Sequence, residues 1–343
     1  MRVVRAVVNE RGSLMPFEVA PEQLSAFQQG LIGTWQNRPL PGTEKGGEND
    51  PYSYNVMVLP QTSPQAGRNS GYVLKNFKYY ETIVFKGPDD VVKPVAAPNR
   101  GGDYQQTPYV LFYDQQIRFA EGPTEGQIVH EENGAWLNLR TERQQIGPYL
   151  FPPENPAYEE GVPQPQPPER TTCKQISVPH GVSVLALGNC AAHDGPPRIP
   201  DAPSVLPTPA GVDTTPYGLT LDDAEHGDYE NPHPDLTNQI ARPLQEAIAA
   251  LGDRVTHHIH CQVDSANFGA VVNIPFEKRK AALAGYNAEY WLLHCEAEQG
   301  VTREILAYTQ RILLGIPLGD RFYIFPHPTS NVLSKVTSEG VAP

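Results

Sequence analysis

Proline limits the fold of this chain more than any other residue, because it fixes φ and lacks the amide hydrogen that helices and inner strands use. The sequence of 343 residues contains 36 prolines, which is roughly twice the usual share of about 5%. They cluster at residues 148–168 and 196–216. We therefore expect long irregular loops at these two places. Helices do not alternate with strands in the pattern, which argues against a parallel sheet.

The remaining segments are rich in aromatic and β-branched runs, which are typical of short strands separated by Gly and Pro turns. The run at 109–119 alternates, and its odd positions carry the side chains that we expect to face the interior. Further strands are predicted at residues 52–59, 72–86, 128–139, 176–188, 255–263, 270–274, 289–295, 305–314 and 321–325. Short helices are predicted at 21–30 and 235–251. The pattern predicts a mainly β protein that is an antiparallel barrel or sandwich, and we favour the barrel because its interior can hold one ligand.

A short motif, Tyr-x-Gln-x-Ile, occurs twice in the predicted strands. It begins at Tyr113 and again at Tyr308. The repetition indicates either a duplication or equivalent positions on one barrel wall. The motif glutamines, Gln115 and Gln310, and the two tyrosines are candidates to polarise a ligand in the barrel. The alternative is that they are core residues whose polar groups are hydrogen-bonded.

Charge and cysteine spacing disfavour several classes of function. The net charge is −13, and a surface without clustered Lys and Arg disfavours binding to nucleic acid or anionic membranes. No apolar run reaches the roughly 18 residues of a membrane span, and the N-terminus lacks a signal-peptide core, so we expect a cytoplasmic protein. The spacing of the cysteines argues against structural zinc and favours reduced thiols, with two disulfides as the alternative. The four are Cys173, Cys190, Cys261 and Cys295.

One histidine near the C-terminus stands between two prolines. His327 follows the predicted strand at 321–325 and is flanked by Pro326 and Pro328, neither of which can donate to a strand ladder. We therefore expect the backbone to leave regular pairing there and to hold the imidazole beside an apolar cavity. A neutral imidazole in such a place is suited to bind a metal. The alternative is a turn histidine that hydrogen-bonds its own loop.

A second group of histidines offers a different metal site. On the strand predicted at 255–263 and just beyond it, His258, His260, Gln262 and Asp264 share one face. His258 and His260 would form the metal pair of a non-heme metal enzyme, with Asp264 as a third ligand. The alternative is a solvated strand with surface histidines.

Four segments, in this order along the chain, resemble the nitrobindin family of heme-binding β-barrels, whose shape is that of the fatty-acid-binding proteins and lipocalins. They are Gly33-Thr34-Trp35, the run His130-Glu131-Glu132-Asn133-Gly134-Ala135-Trp136, Val178-Pro179-His180-Gly181-Val182, and Pro326-His327-Pro328 with Val332-Leu333. Short motifs are also similar to those of longer heme-binding or peroxidase-like proteins of fungi and bacteria. The chain departs from the family in its proline-rich insertions, in the helix at 235–251 and in Pro328.

The resemblance implies heme b as the cofactor, with His327 as the proximal iron ligand and His130 as the catalytic residue on the distal side. Trp35 would close the floor of the barrel, and His180 would lie at a turn or at the rim of the pocket. The implied activity is that of an oxidoreductase acting on peroxide, on reactive nitrogen species or on a small apolar substrate. The first alternative is a carrier of a hydrophobic small molecule without redox chemistry, and the second is the non-heme metal enzyme.

One barrel domain at residues 21–335 accounts for this pattern, with a lead-in at 1–20 and a tail at 336–343. Insertions are expected at 141–170 and 189–253, and their loops would form a lid over the barrel mouth or a homodimer contact. The sequence signatures of nucleotide-binding loops and of the hydrolase nucleophile elbow are missing. These absences argue against a nucleotide-dependent enzyme. The resemblance implies a small-molecule substrate or a diatomic ligand as the partner.

Overall fold

The computed structural model of the protein describes residues 17–18, 24–37, 53–60, 72–86, 95–96, 109–138, 170–179, 181–201, 239–266, 269–275, 282–296, 303–318 and 321–336. In chain order its strands are β1 (Phe17–Glu18), β2 (Gly33–Gln36), β3 (Ser53–Pro60), β4 (Tyr72–Lys86), β5 (Val95–Ala96), β6 (Tyr109–Phe119), β7 (Ile128–Asn138), β8 (Thr172–Val178), β9 (Val182–Asp194), β10 (Val255–Asp264), β11 (Ala270–Asn273), β12 (Ala282–Cys295), β13 (Arg303–Leu318) and β14 (Arg321–Lys335). Its helices are α1 (Ala26–Leu31) and α2 (Arg242–Leu251).

Ten strand positions close into one antiparallel barrel in this described part of the chain. Around the barrel the order is β10, β12, β13, β14, a position shared by β2 and β3, then β4, β6, β7, β8 and β9, which pairs again with β10. β2 and β3 share one position because both pair with β14 and with β4. β11 adds to β9, and β1 forms a separate ribbon with β5. The predicted antiparallel barrel is confirmed.

Side chains along each barrel strand alternate between the interior and the outside, as the pleat requires. On β6 the side chains of Leu111, Tyr113 and Ile117 are buried, whereas those of Phe112 and Asp114 are exposed, so the predicted inner face is confirmed. The inward side chains of the barrel form the main hydrophobic core, and removing their apolar surface from water is the main force that stabilises the barrel.

The prolines beside His327 do not interrupt the last strand, which is the largest difference from the predicted strands. β14 was expected to end at Phe325, but its ladder with β13 continues through Pro326 and Pro328 to Ser334. The ladder with β3 on the other side begins only at Thr329. We infer that the missing amide hydrogens are tolerated because pairing on that side is incomplete at the prolines.

α1 begins later than predicted because of its cap. The backbone amide of Gln28 donates to the Ser25 hydroxyl over 3.2 Å, and the amide of Ser25 donates to the Gln28 side chain over 2.9 Å. This reciprocal pair is a capping box, and it fixes Ser25 as the N-cap. The helix therefore starts at Ala26, whereas the predicted start at Pro21 lies outside the described residues.

α1 packs into the hydrophobic core of the barrel through one face. Phe27 and Leu31 are buried there, and the Phe27 ring meets the Trp136 ring edge-on at 5.1 Å. The indole nitrogen of Trp35 donates to the Leu31 carbonyl over 2.7 Å. Trp35 therefore ties the first barrel strand to the helix that precedes it.

α2 covers part of the outer surface of the barrel. Its buried Leu244 and Ile248 pack with Trp291 and Val332, which point outward from β12 and β14. The helix starts at Arg242 and not at the predicted Asp235, which itself lies outside the described residues. Neither described helix is long and apolar enough to cross a membrane.

The cysteines differ from the expected set of reduced thiols. Cys190 on β9 and Cys261 on β10 are directly opposite each other and form a disulfide. Cys173 and Cys295 are free and buried. Residues 71 apart in sequence meet here because β9 and β10 close the barrel, and the spacing of the cysteines does not reveal that contact.

A glycine on β7 marks a close approach of two strands. A Cβ at Gly134 would overlap the Gln175 carbonyl oxygen on β8 and would lie 2.7 Å from the Tyr113 ring. We expect Gly134→Ala to lower the free energy of unfolding by about 1–3 kcal/mol, because the core must shift to make room. Urea denaturation measures the loss. Gly285→Ala is the matched control, since its Cβ would meet only the flexible Leu313 side chain; an equal loss in both variants would contradict the prediction.

Candidate functional site

The barrel encloses a cavity of about 310 Å³, at the lower end of the roughly 300–1,000 Å³ of small-molecule sites. Most of its wall is apolar. The apolar side chains include Met57, Ile117, Val129, Val178, Ile312 and Leu314. Its polar side chains include Asn55, Gln115, His130, Glu132, Gln310 and His327. An apolar wall with a few convergent polar groups is typical of a ligand site.

His327 extends from β14 into this cavity, and a hydrogen bond holds its ring in a single tautomer. Its Nδ1 lies 2.9 Å from the Val56 carbonyl oxygen, which only accepts hydrogen bonds, so Nδ1 carries the hydrogen. Burial lowers the pKa of His327 to about 4, with His130 adding to the shift. Nε2 has no hydrogen-bond partner among the described residues. The ring is therefore neutral near pH 7 and keeps a free lone pair.

His130 lines the same cavity from β7, four strand positions away from β14 around the barrel. Its Nε2 lies 3.4 Å from a carboxylate oxygen of Glu132, so Nε2 donates and Nδ1 keeps the lone pair. Glu132 lines the cavity too. The two predicted heme-site histidines are thus brought to one cavity.

A buried lysine stands behind Glu132. The Lys174 ammonium on β8 donates to the Tyr290 hydroxyl over 2.8 Å and to the Tyr286 hydroxyl over 3.2 Å, and it lies 3.6 Å from Glu132. The Tyr113 hydroxyl donates to Glu132 over 2.8 Å. Burial raises the pKa of Glu132, but Lys174 and His130 outweigh burial and hold that pKa below its usual value. Glu132 is therefore ionised at the cavity wall.

A second buried carboxyl, Glu81 on β4, has no cation within ion-pair distance among the described residues. It accepts hydrogen bonds from Tyr308 on β13, Gln115 on β6 and Ser53 on β3. Burial raises the pKa of Glu81 to about 7, because its hydrogen bonds do not fully offset the loss of water. Glu81 thus ties three strands to β4 and is partly protonated at neutral pH.

Of the other residues predicted for the heme site, some line the cavity and some do not. Gln115 and Gln310 line the cavity, whereas Tyr113 and Tyr308 stand behind it in the polar networks just described. Trp35 lies against α1, outside the cavity lining. The prediction for His180 falls on a residue outside the described part of the chain.

The sequence-based prediction missed three important residues of the site. The alternation of inward and outward side chains along a strand could have identified each of them. Lys174 is in phase with the buried Ile176 on β8, and Glu81 is in phase with the buried Ile83 on β4. Glu132 is in phase with His130 on β7. A charged residue at an inward position predicts a buried partner.

The rival metal residues lie on the outside of the barrel. His258, His260 and Asp264 share the outer face of β10, as predicted, because Cys261 and Val263 point inward. Asp264 accepts a hydrogen bond from the Ala266 amide. Within the described ranges no three His, Cys, Asp or Glu side chains are arranged to hold a metal ion.

Comparison with known proteins adds no further assignment. The chain matches no protein-family model, no curated protein and no solved structure. Its function is therefore inferred from the residues of the cavity.

Proposed function

We propose that the protein binds heme in the barrel cavity, with His327 as the axial ligand of the iron. The observation that carries this proposal is that the His327 ring is held in one tautomer. Its hydrogen is on Nδ1, held by the Val56 carbonyl, and its free Nε2 belongs to a side chain that lines the cavity. A backbone carbonyl that fixes the other ring nitrogen is a common support for a metal-binding histidine.

The cavity suits the chemistry of a porphyrin in two respects. Its wall is mainly apolar, which favours the macrocycle over water. Its described lining contains no Arg or Lys, so the two propionates would remain in water at the open edge. The cavity volume of about 310 Å³ is smaller than a whole porphyrin, so only the apolar edge of the macrocycle would lie inside it.

Bound heme would supply an iron that can take a diatomic ligand or react with peroxide. The protein's own contribution would come from His130 and Glu132. Nδ1 of a neutral His130 would accept a proton from a peroxide substrate in the cavity, and the ionised Glu132 would stabilise the protonated ring. We therefore propose an oxidoreductase that acts on peroxide or reactive nitrogen species.

The size and apolar wall of the cavity favour one other function, that of a carrier for a compact hydrophobic molecule without redox chemistry. In a carrier, His327 would accept a hydrogen bond from the ligand instead of binding iron. Native mass spectrometry of the purified protein separates the two functions, because a carrier retains an apolar metabolite and takes up no hemin.

We expect one equivalent of hemin to give a Soret band with the purified protein and a weakened or shifted band with His327→Ala. The loss of the only iron ligand should weaken hemin binding at least about tenfold, or about 1.4 kcal/mol. Absorption titration measures the change, and circular dichroism verifies that the variant is folded.

The matched control for this titration is His257→Ala, an exposed histidine outside the cavity lining. It should bind hemin like the wild type. Addition of imidazole to His327→Gly should restore the original band. An unchanged band in His327→Ala, or an equal loss in His257→Ala, would overturn the assignment of His327.

A further inference from the structure

Half of the histidines in the chain lie on three neighbouring strands, and three of these, His193, His258 and His260, are on the outer face. The sequence has 10 histidines, and five of them are on β9, β10 and β12, away from the heme cavity proposed above. They are His193, His257, His258, His260 and His294. Imidazole is a good ligand for divalent transition metals, so we considered which of these rings can share one ion.

His193 and His258 are directly opposite each other in the antiparallel ladder of β9 and β10. Their ring centroids are 5.2 Å apart and their planes are 24° apart. Two imidazoles bound to one ion at about 2.0–2.1 Å, at angles between square and tetrahedral, have centroids roughly 4.5–5 Å apart. The observed spacing therefore suits a shared ion with small side-chain rotations and no strand movement.

A backbone carbonyl fixes the ring of His258, as is common for metal-binding histidines. Its Nδ1 lies 2.8 Å from the Gly195 carbonyl oxygen, so Nδ1 carries the hydrogen and Nε2 keeps the lone pair. The side chain is buried against this carbonyl, which restricts its rotation. His193 is exposed and is free to turn its ring toward the same ion.

The neighbouring side chains are less suited to the ion. His260 is paired with Glu289 over 3.1 Å and stacks on the Trp291 ring at 5.3 Å. Asp264, the third ligand expected from the sequence, accepts its bond from Ala266. His193, on a strand 65 residues away by number (258 − 193), takes the place expected of Asp264.

The second stacked pair, His257 with His294, lies 4.3 Å between centroids. This pair is less suited to bind a cation. His294 is paired with Glu304, and Glu304 is also paired with the Lys335 ammonium over 2.6 Å. A positive charge beside a site disfavours a second cation.

We propose that His193 and His258 together bind one divalent transition-metal ion, with Cu²⁺ preferred and water completing its coordination. Cu²⁺ stands at the top of the divalent series for nitrogen ligands, and it accepts a tetragonal site with two imidazoles and water. The site is independent of the proposed heme function, because it lies on the opposite side of the barrel wall.

Calorimetric titration of the tag-free protein with copper sulfate tests this site, together with the electron paramagnetic resonance spectrum of the bound Cu²⁺. We expect one equivalent and coupling to two nitrogens. His193→Asn and His258→Asn should each weaken binding at least about tenfold, or about 1.4 kcal/mol, because each removes half of the chelate. His193 is exposed, so its variant should remain folded.

His257→Asn is the matched control and should bind Cu²⁺ within about twofold of the wild type, or about 0.4 kcal/mol. An equal loss in His257→Asn, or a wild type no tighter than the His193→Asn/His258→Asn double variant, would overturn the proposal. His327→Ala should leave Cu²⁺ binding unchanged, which separates this site from the heme site.

Discussion

Replacing Lys174 by methionine should lower the free energy of unfolding by about 3–5 kcal/mol, the usual cost of removing one partner from a buried ion pair. Methionine keeps most of the side-chain volume but removes the only ammonium near Glu132 in the described part of the chain. The carboxylate would then be left in the core without a cation, or would take up a proton. Urea denaturation at pH 7 measures the loss.

Two variants show whether the charge itself is responsible. Lys174→Met combined with Glu132→Gln should lose less stability than Lys174→Met alone, because a neutral pair leaves no uncompensated charge. Lys86→Met removes a lysine that is paired with Asp114 on the surface and should cost less than about 1 kcal/mol. Equal losses in Lys86→Met and Lys174→Met would contradict a special role for the buried pair.

The barrel could be predicted from the sequence because its strands alternate strongly. β6 and β4 both match their predicted ranges, and β4 is one strand where one or two were expected. Both contain β-branched and aromatic side chains at alternating positions, which makes the inward face unambiguous. β12 was predicted to begin at Glu289 and begins at Ala282, because its first residues are small and only partly buried and so carry a weak alternation.

The site was partly predictable for the same reason. His130 and His327 reach one cavity because each lies on the inward face of its strand. The local rule for proline failed at Pro326 and Pro328, since a missing amide hydrogen matters only where a ladder needs it. Contacts across the closing seam of the barrel, such as that of His193 with His258, depend on which strands become neighbours. Local sequence does not contain that information.

The protonation of the two interior carboxyl groups depends on which of them lies beside the one described ammonium group, and only the fold shows this. The described interior network joins two carboxyl groups, Glu81 and Glu132, and one ammonium group, that of Lys174. Lys174 lies beside Glu132, so Glu132 is ionised. Glu81 is farther from Lys174, and burial together with the charge of Glu132 raises its pKa to about 7, although its hydrogen bonds and Lys174 act in the opposite direction. His327 shows the opposite effect, because burial disfavours its charged form and lowers its pKa to about 4.

These two shifts should make the stability of the heme-free protein respond oppositely to pH in two variants. Between pH 4.5 and 6.5, folded Glu81 keeps a proton that the unfolded chain has lost, so this group lowers stability as pH rises. Over the same range the unfolded chain protonates His327 and the folded chain does not, so this group raises stability as pH rises. Each slope is about 1.4 kcal/mol per pH unit, and in the wild type the two nearly cancel.

Removing either group should reveal the pH dependence of stability that the other group contributes. Glu81→Gln is expected to gain stability relative to the wild type as pH rises from 4.5 to 6.5, by about 2 kcal/mol in total, since the contribution of His327 is then unopposed. His327→Leu is expected to lose a similar amount over the same range. Subtracting the wild-type urea denaturation curve at each pH cancels the other titrating groups. If both variants follow the wild type in parallel, the folded protein ionises Glu81 and protonates His327 as the unfolded chain does. Burial would then not govern the protonation of these two groups, and the lowered pKa of His327 would be refuted.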